Sequence, residues 1–153
     1  MSLNQVFDIA GSAMSAQSIR LNTTSSNLAN AETASSSTGE VYRARKPVFS
    51  AIQADMMGQQ GSGVSEAGFS GNELQSAGVK VDGIVESDVG LEQRYQPEHP
   101  KADDNGYVYY PNVSVVEEMA DMMSASRSFQ TNVEVMNTAK SMMQRVMTLG
   151  QGQ

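Results

Sequence analysis

The only histidine, His99, stands in the run PEHP between two prolines. A Ser-His-Asp hydrolase needs its imidazole beside a serine carried on a strained strand-to-helix turn, with a carboxylate behind the ring. No serine near His99 has that setting. Asp103, Asn105 and Gly106 reproduce part of a calcium loop, but Lys101 stands where the first ligand belongs and Asn112 where a closing carboxylate belongs. The better reading is a turn, because Asn-Gly ahead of Tyr-Val-Tyr is strong turn chemistry. The glycine-rich GQQGSGVSEAG lacks the Lys and Ser/Thr of a phosphate-binding loop and does not lead into a helix. The chain has 0 cysteines, which excludes disulfides, thiolate catalysis and cysteine-bound zinc. These residues point to no catalytic, cofactor or metal site and to no small-molecule substrate.

The elements around them are more informative. From Leu3 to Asn30 the residues Leu3, Phe7, Ala10, Met14, Gln17, Leu21, Thr24 and Leu28 follow alternating spacings of four and three, a heptad repeat. Ser2 with Gln5 forms a capping box that starts this helix. Its length would be about 40 Å at 1.5 Å per residue. Apart from Asp8 and Arg20, its polar positions are Ser, Thr, Asn and Gln, so it has almost no ion pairs to support it alone. Small uncharged side chains can, however, lie against other backbones without the cost of burying a charge, so most of its circumference can be covered.

A second capping box, Ser114 with Glu117, follows Pro111, and Glu117 and Glu118 suit the positive end of a helix dipole. From there a seam runs through Val115, Met119, Met122, Ser126, Phe129, Val133, Met136, Lys140, Met143 and Met147 to Gly150. Flanking Val116, Met123, Val135, Ala139, Met142, Val146 and Leu149 widen the stripe beyond what one neighbour covers. The expected assembly seam is therefore Leu3, Phe7, Met14, Leu21 and Leu28 on the first helix, with Met119, Met122, Phe129, Val133, Met136, Met143 and Met147 on the last.

Between the helices, residues 32–39 read as a loop and YRARKPVF, residues 42–49, as a short strand. Residues 58–78 hold six of the 13 glycines and read as a mobile loop. VKVDGIVESD, residues 79–88, alternates around Gly83 and reads as a strand with a bulge or as a hairpin. Residues 94–111 hold three of the four prolines and read as an extended linker, its tyrosines lying against another surface. The expected fold is mainly α: long N- and C-terminal helices paired as an antiparallel coiled coil. Its discontinuous helical domain comprises residues 1–31 and 112–150, around a small β-containing middle region, residues 32–93, and that linker.

Composition agrees. Of 153 residues, 39% are apolar and 6% aromatic, with 11 Met and 0 Trp, which favours helix seams over a large core. The net charge of -7 disfavours nucleic acid. No apolar run nears the roughly 20 residues that span a bilayer. The first residues lack a basic n-region and an unbroken apolar stretch, so no cleaved signal peptide is expected.

SAMSAQSIRLNTTSSNLANAET, residues 12–33, resembles the N-terminal signature of bacterial flagellar axial proteins, the rod, hook and hook-associated subunits, whose helix ends in Asn-Leu-Ala-Asn-Ala. YRARKPVF and residues 99–140 look like the proximal rod subunits of that family. The resemblance implies a structural, non-catalytic subunit of the basal-body rod, which crosses the periplasm and transmits torque. It also implies passage through the flagellar type III export apparatus, then assembly with copies of itself and other rod subunits into a helical tube. The alternative left open by the residues is a soluble helical adaptor or export chaperone that binds a partner through its Met-rich last helix.

Overall fold

The computed structural model describes residues 3–53 and 76–150. The order of elements is α1 (Leu3–Asn30), β1 (Arg45–Gln53), β2 (Ser76–Glu86), β3 (Glu92–Tyr95), β4 (Tyr107–Tyr110) and α2 (Val115–Gly150). The two long helices fall where the heptads place them. Ser2 and the part of the glycine-rich stretch at 58–75 lie outside the described residues. Residues 76–78, read as the end of that loop, begin β2 instead.

Helix α1 lies between α2 on one side and both strands of the β1–β2 ribbon on another. Its hydroxyls are satisfied from within: Thr23 Oγ1 donates to the Ile19 carbonyl at 2.9 Å and Thr24 Oγ1 to that of Leu21 at 3.0 Å. Back-bonding of this kind lets Thr23 and Thr24 be buried without other partners. Helix α2 is capped by Ser114, whose Oγ accepts the Glu117 N–H at 3.5 Å. The reciprocal half of that capping box is replaced, because Glu117 Oε1 accepts from Lys46 Nζ at 2.9 Å.

The buried apolar residues among those described are Ala10, Ala16, Val41, Ala44, Val108, Ala125 and Ala139. None is larger than valine. The helices therefore meet through small side chains that let backbones approach, while the larger apolar groups of α2 point outward. Val116 is 78% exposed, Met123 67%, Val146 68% and Leu149 80%.

β1 and β2 form an antiparallel ribbon in which Val48 pairs with Gly83 and Phe49 with Val81. Asp82 is thus the extra residue of a bulge next to Gly83. The first strand starts three residues later than expected and runs to Gln53, because Tyr42 and Ala44 are taken up in contacts described below. Gly78 has φ +145°, and a Cβ there would fall on Ser12 Oγ, which accepts the Val79 N–H at 3.2 Å. Only glycine lets the ribbon lie this close to α1.

The segment read as an extended linker is a second antiparallel hairpin, with Arg94 opposite Val108 and Tyr95 opposite Tyr107. The prolines favoured an extended strap; the turn wins because Asp103 gathers it. Asp103 Oδ1 accepts the Asn105 N–H at 2.9 Å and the Tyr107 N–H at 2.8 Å, and Gly106 takes φ +81°. β4 also bridges to Ser35 through two backbone hydrogen bonds of 3.0 Å, tying the hairpin to the loop after α1. A Cβ at Gly106 would sit 2.9 Å from Tyr95 Cε2 and 3.2 Å from Pro97 Cβ. Gly106→Ala should therefore loosen the hairpin by about 1–3 kcal/mol. Amide exchange at Gln96 and Asp103 should accelerate about tenfold or more, since each 1.4 kcal/mol is a factor of ten; unchanged rates would contradict the strain.

Candidate functional site

The feature that joins the helices to the ribbon is a polar junction centred on Asn27, in the last turns of α1. Asn27 is fully buried. Its Nδ2 donates to the Arg45 carbonyl at 2.8 Å and to Glu118 Oε1 at 3.0 Å. Its Oδ1 accepts the Arg45 N–H at 2.9 Å and the Tyr42 hydroxyl at 2.9 Å. The amide thus pairs with both backbone groups of Arg45 as a neighbouring strand would, and at the same time reaches α2. An amide can do this because it carries donors and an acceptor on one planar group.

Asn112, just before α2, does a parallel task. Its Oδ1 accepts the Ala44 N–H at 2.9 Å, and its Nδ2 donates to the carbonyls of Val89 at 2.8 Å and Ser87 at 3.4 Å. Two asparagines from the two helical ends of the chain therefore hold consecutive residues, Ala44 and Arg45, at the root of the ribbon.

Ion pairs surround this junction. Arg20 of α1 meets Asp121 of α2 at 2.7 Å, Lys46 of β1 meets Glu117 at 2.9 Å, and Arg45 meets Glu86 of β2 at 2.9 Å. The side chains of the last two pairs are about half exposed, so each contributes little to stability. Glu117 nevertheless holds the Lys46 ammonium above its usual value, chiefly by that hydrogen bond and against desolvation. Glu118 differs from these acids: it is 3% exposed, and burial foremost pushes its carboxyl group up, with the Asn27 hydrogen bond opposing. A cleft of about 310 Å³ adjoins it, lined by Arg20, Thr24, Arg45, Lys46, Pro47, Phe49, Glu118 and Asp121.

The residues named for the assembly seam lie as follows. Phe7, Met14, Leu21 and Leu28 on α1 are half-buried, as are Met122, Phe129, Val133, Met136 and Met143 on α2. Met119 is 52% and Met147 55% exposed. The side chain of Leu3 lies outside the described residues. The deepest positions of α2 are Glu118, Ala125 and Ala139, one residue before the row Met119, Ser126, Val133 and Lys140. An alcove of about 410 Å³ joins Val6 of α1 to Thr131, Glu134, Val135, Thr138, Ala139 and Met142 of α2.

Asn27, Glu118 and Asn112 are the positioning residues that spacing alone did not single out. A signal existed for Asn27 in the uncharged polar character of α1. Glu118 offered none, because an acid in the first turn of a helix is ordinarily a solvated partner of the dipole. His99 serves its own loop, its Nδ1 accepting the Lys101 N–H at 3.1 Å. Among the described residues no three His, Cys, Asp or Glu side chains are grouped to hold a metal, and no helix is long and apolar enough to cross a membrane.

Comparison with known proteins places this architecture. Residues 7–34 match the family described as flagella basal body rod protein, and residues 104–149 match the flagellar basal body rod FlgEFG protein C-terminal family. The chain is 48% identical over 151 residues to flagellar basal-body rod protein FlgC of Salmonella typhimurium, covering 99% of this chain and 100% of the relative. FlgC of Escherichia coli O6:H1 is 47% identical with the same coverage. FlgC of Bacillus subtilis is 35% identical over 145 residues, or 94% of this chain and 95% of the relative.

Proposed function

The chain belongs to the flagellar basal-body rod protein FlgC family and is a structural subunit of the rod, and from that premise we propose that it builds a helical tube through its two terminal helices and transmits torque there. The observation that carries this reading is the distribution of apolar groups: alanines inside the chain, and valines, methionines and a leucine outside on α2. A chain with large apolar side chains left in water along a helix of about 54 Å is incomplete as a single copy.

We read the two helices as an antiparallel coiled coil formed by residues 1–31 and 112–150. Support comes from the order of contacts: late α1 meets early α2 at Asn27 and Glu118, and early α1 meets late α2 at Val6 and Met142. The middle region, residues 32–93, and the Pro/Tyr segment, residues 94–111, would then brace neighbouring subunits. The seam residues Phe7, Met14, Leu21, Leu28, Met119, Met122, Phe129, Val133, Met136, Met143 and Met147, with Leu3, would be shared between the chain and its neighbours.

The partners in this reading are copies of the chain and other rod subunits, met after passage through the type III export apparatus without signal cleavage. The location is the basal body, with the rod crossing the periplasm. Helices whose fully buried apolar contacts are alanines should be partly unwound before assembly and ordered by it, because the internal contact buries little apolar area completely. Packing through unlike faces continues as a tube until it is capped. No catalytic role is assigned.

Complementation tests this directly. In a flagellated bacterium lacking its own FlgC, the full chain should restore swimming and appear in purified basal bodies. The same chain without Leu3–Asn30 should restore neither. Swimming by the truncated version would refute a role for the terminal helices, and a full chain absent from basal bodies would refute the rod assignment.

A further inference from the structure

We propose that Glu118 is a proton-sensitive latch at the place where α1, α2 and the root of the β1–β2 ribbon meet: the neutral carboxyl group closes the junction, and its ionisation weakens it. The inference concerns the single chain and does not depend on the rod assignment.

The geometry carries it. Glu118 is 3% exposed, and among the described residues only its Oε1 has a hydrogen-bond partner, Asn27 Nδ2 at 3.0 Å. Oε2 is buried and has none. An ionised carboxylate offers about four acceptor positions and is costly to bury with one of them filled.

The charged groups that face it from each element do not supply the missing partner. From α1, the Arg20 guanidinium is bonded to Asp121 at 2.7 Å. From β1, Arg45 is bonded to Glu86 of β2 at 2.9 Å, and Lys46 to Glu117 at 2.9 Å. The Tyr42 hydroxyl, from the segment before β1, donates to Asn27 and leaves Glu118 aside. On α2 itself, Glu117 and Asp121 are like charges that oppose a third. Every one of these cations is hydrogen-bonded to another carboxylate; Lys46 still favours the ionised form from a distance, while Asp121 and Glu117 oppose it. Among the described residues no other group combines a buried ionisable side chain, an empty acceptor position and a contact shared by three elements.

The direction follows from the raised carboxyl value. Because the folded chain holds this proton more tightly than the unfolded chain does, the contribution is fully present below the ordinary glutamate value of 4.5. It is lost as pH rises through the higher folded-state value. Glu118→Gln keeps the size of the side chain and the acceptor for Asn27 while removing the titration. The ratio of the folding constant of E118Q to that of the wild-type full chain should be flat at acid pH. It should then rise by up to tenfold per pH unit until the folded group is ionised. All other titrating groups are common to both chains and cancel.

A direct reading on the wild-type chain removes any dependence on how the variant folds. The Glu118 side-chain carboxyl carbon, followed by nuclear magnetic resonance, should titrate with a midpoint clearly above the ordinary glutamate value of 4.5. A Glu118 midpoint at or below 4.5 would overturn the proposal, as would parallel stability curves for E118Q and wild type.

Discussion

Replacing Asn27 by alanine should cost about 3–5 kcal/mol, enough to remove a third or more of the stability of an ordinary domain. The size follows from what is left behind. Arg45 would lose the partners of both its backbone groups, Tyr42 would lose an acceptor of its hydroxyl, and Glu118 would keep a buried carboxyl group with no hydrogen bond. A buried donor or acceptor deprived of its partner costs about 1–3 kcal/mol, and a charge costs more. A water in the vacated space could recover part of this, which keeps the total below a simple sum. Chemical denaturation of the full chain measures the loss. The same substitution made in a Glu118→Gln background should cost less, because the buried amide cannot ionise, and the non-additivity reports the coupling between the two side chains. A loss below about 1 kcal/mol would mean that the junction is not what holds the ribbon to the helices.

The second large effect concerns assembly and leaves the isolated chain alone. Met123 is 67% exposed on α2. Met123→Asp should therefore change the stability of the separate chain by no more than about 0.5 kcal/mol. If the outward face of α2 is covered by neighbours in the rod, the same carboxylate becomes an unpaired charge in a dry contact, at a cost of several kcal/mol. Incorporation into basal bodies should fall by about a hundredfold or more, since each 1.4 kcal/mol is a factor of ten. Met123→Leu should incorporate normally. Wild-type incorporation of the aspartate variant would remove this face from the assembly surface.

Much of the fold can be read from residue types. The heptad spacing places both helices, and Ser114 with Glu117 marks the start of α2, because these signals are local and repeat over many turns. The bulge beside Gly83 is legible for the same reason: an alternating run interrupted by a residue without a side chain. The hairpin at 92–110 is not. Its prolines argue for extension, and the carboxylate of Asp103 that folds the segment back is informative only once its two N–H partners are near. The deep row of α2 is hidden by a different effect. Large apolar residues dominate any periodicity, yet the apolar positions of α2 that are fully buried are Ala125 and Ala139, and Met119 and its row stand to one side. Glu118 shows the limit most clearly, since its burial depends on Asn27, 91 positions away in the chain.

Asn112 has a mechanical consequence. One side chain holds Ala44, where the outgoing strand begins, together with Ser87 and Val89, where the returning strand has ended. A two-stranded arm fastened through a single strand would swing like a flap about that attachment. Fastened through both, and lying along α1 where Ser12 accepts the Val79 N–H, the ribbon has no hinge at its root: a sideways push must stretch one strand's attachment while it compresses the other's, and the load enters the base of α2 without a pivot.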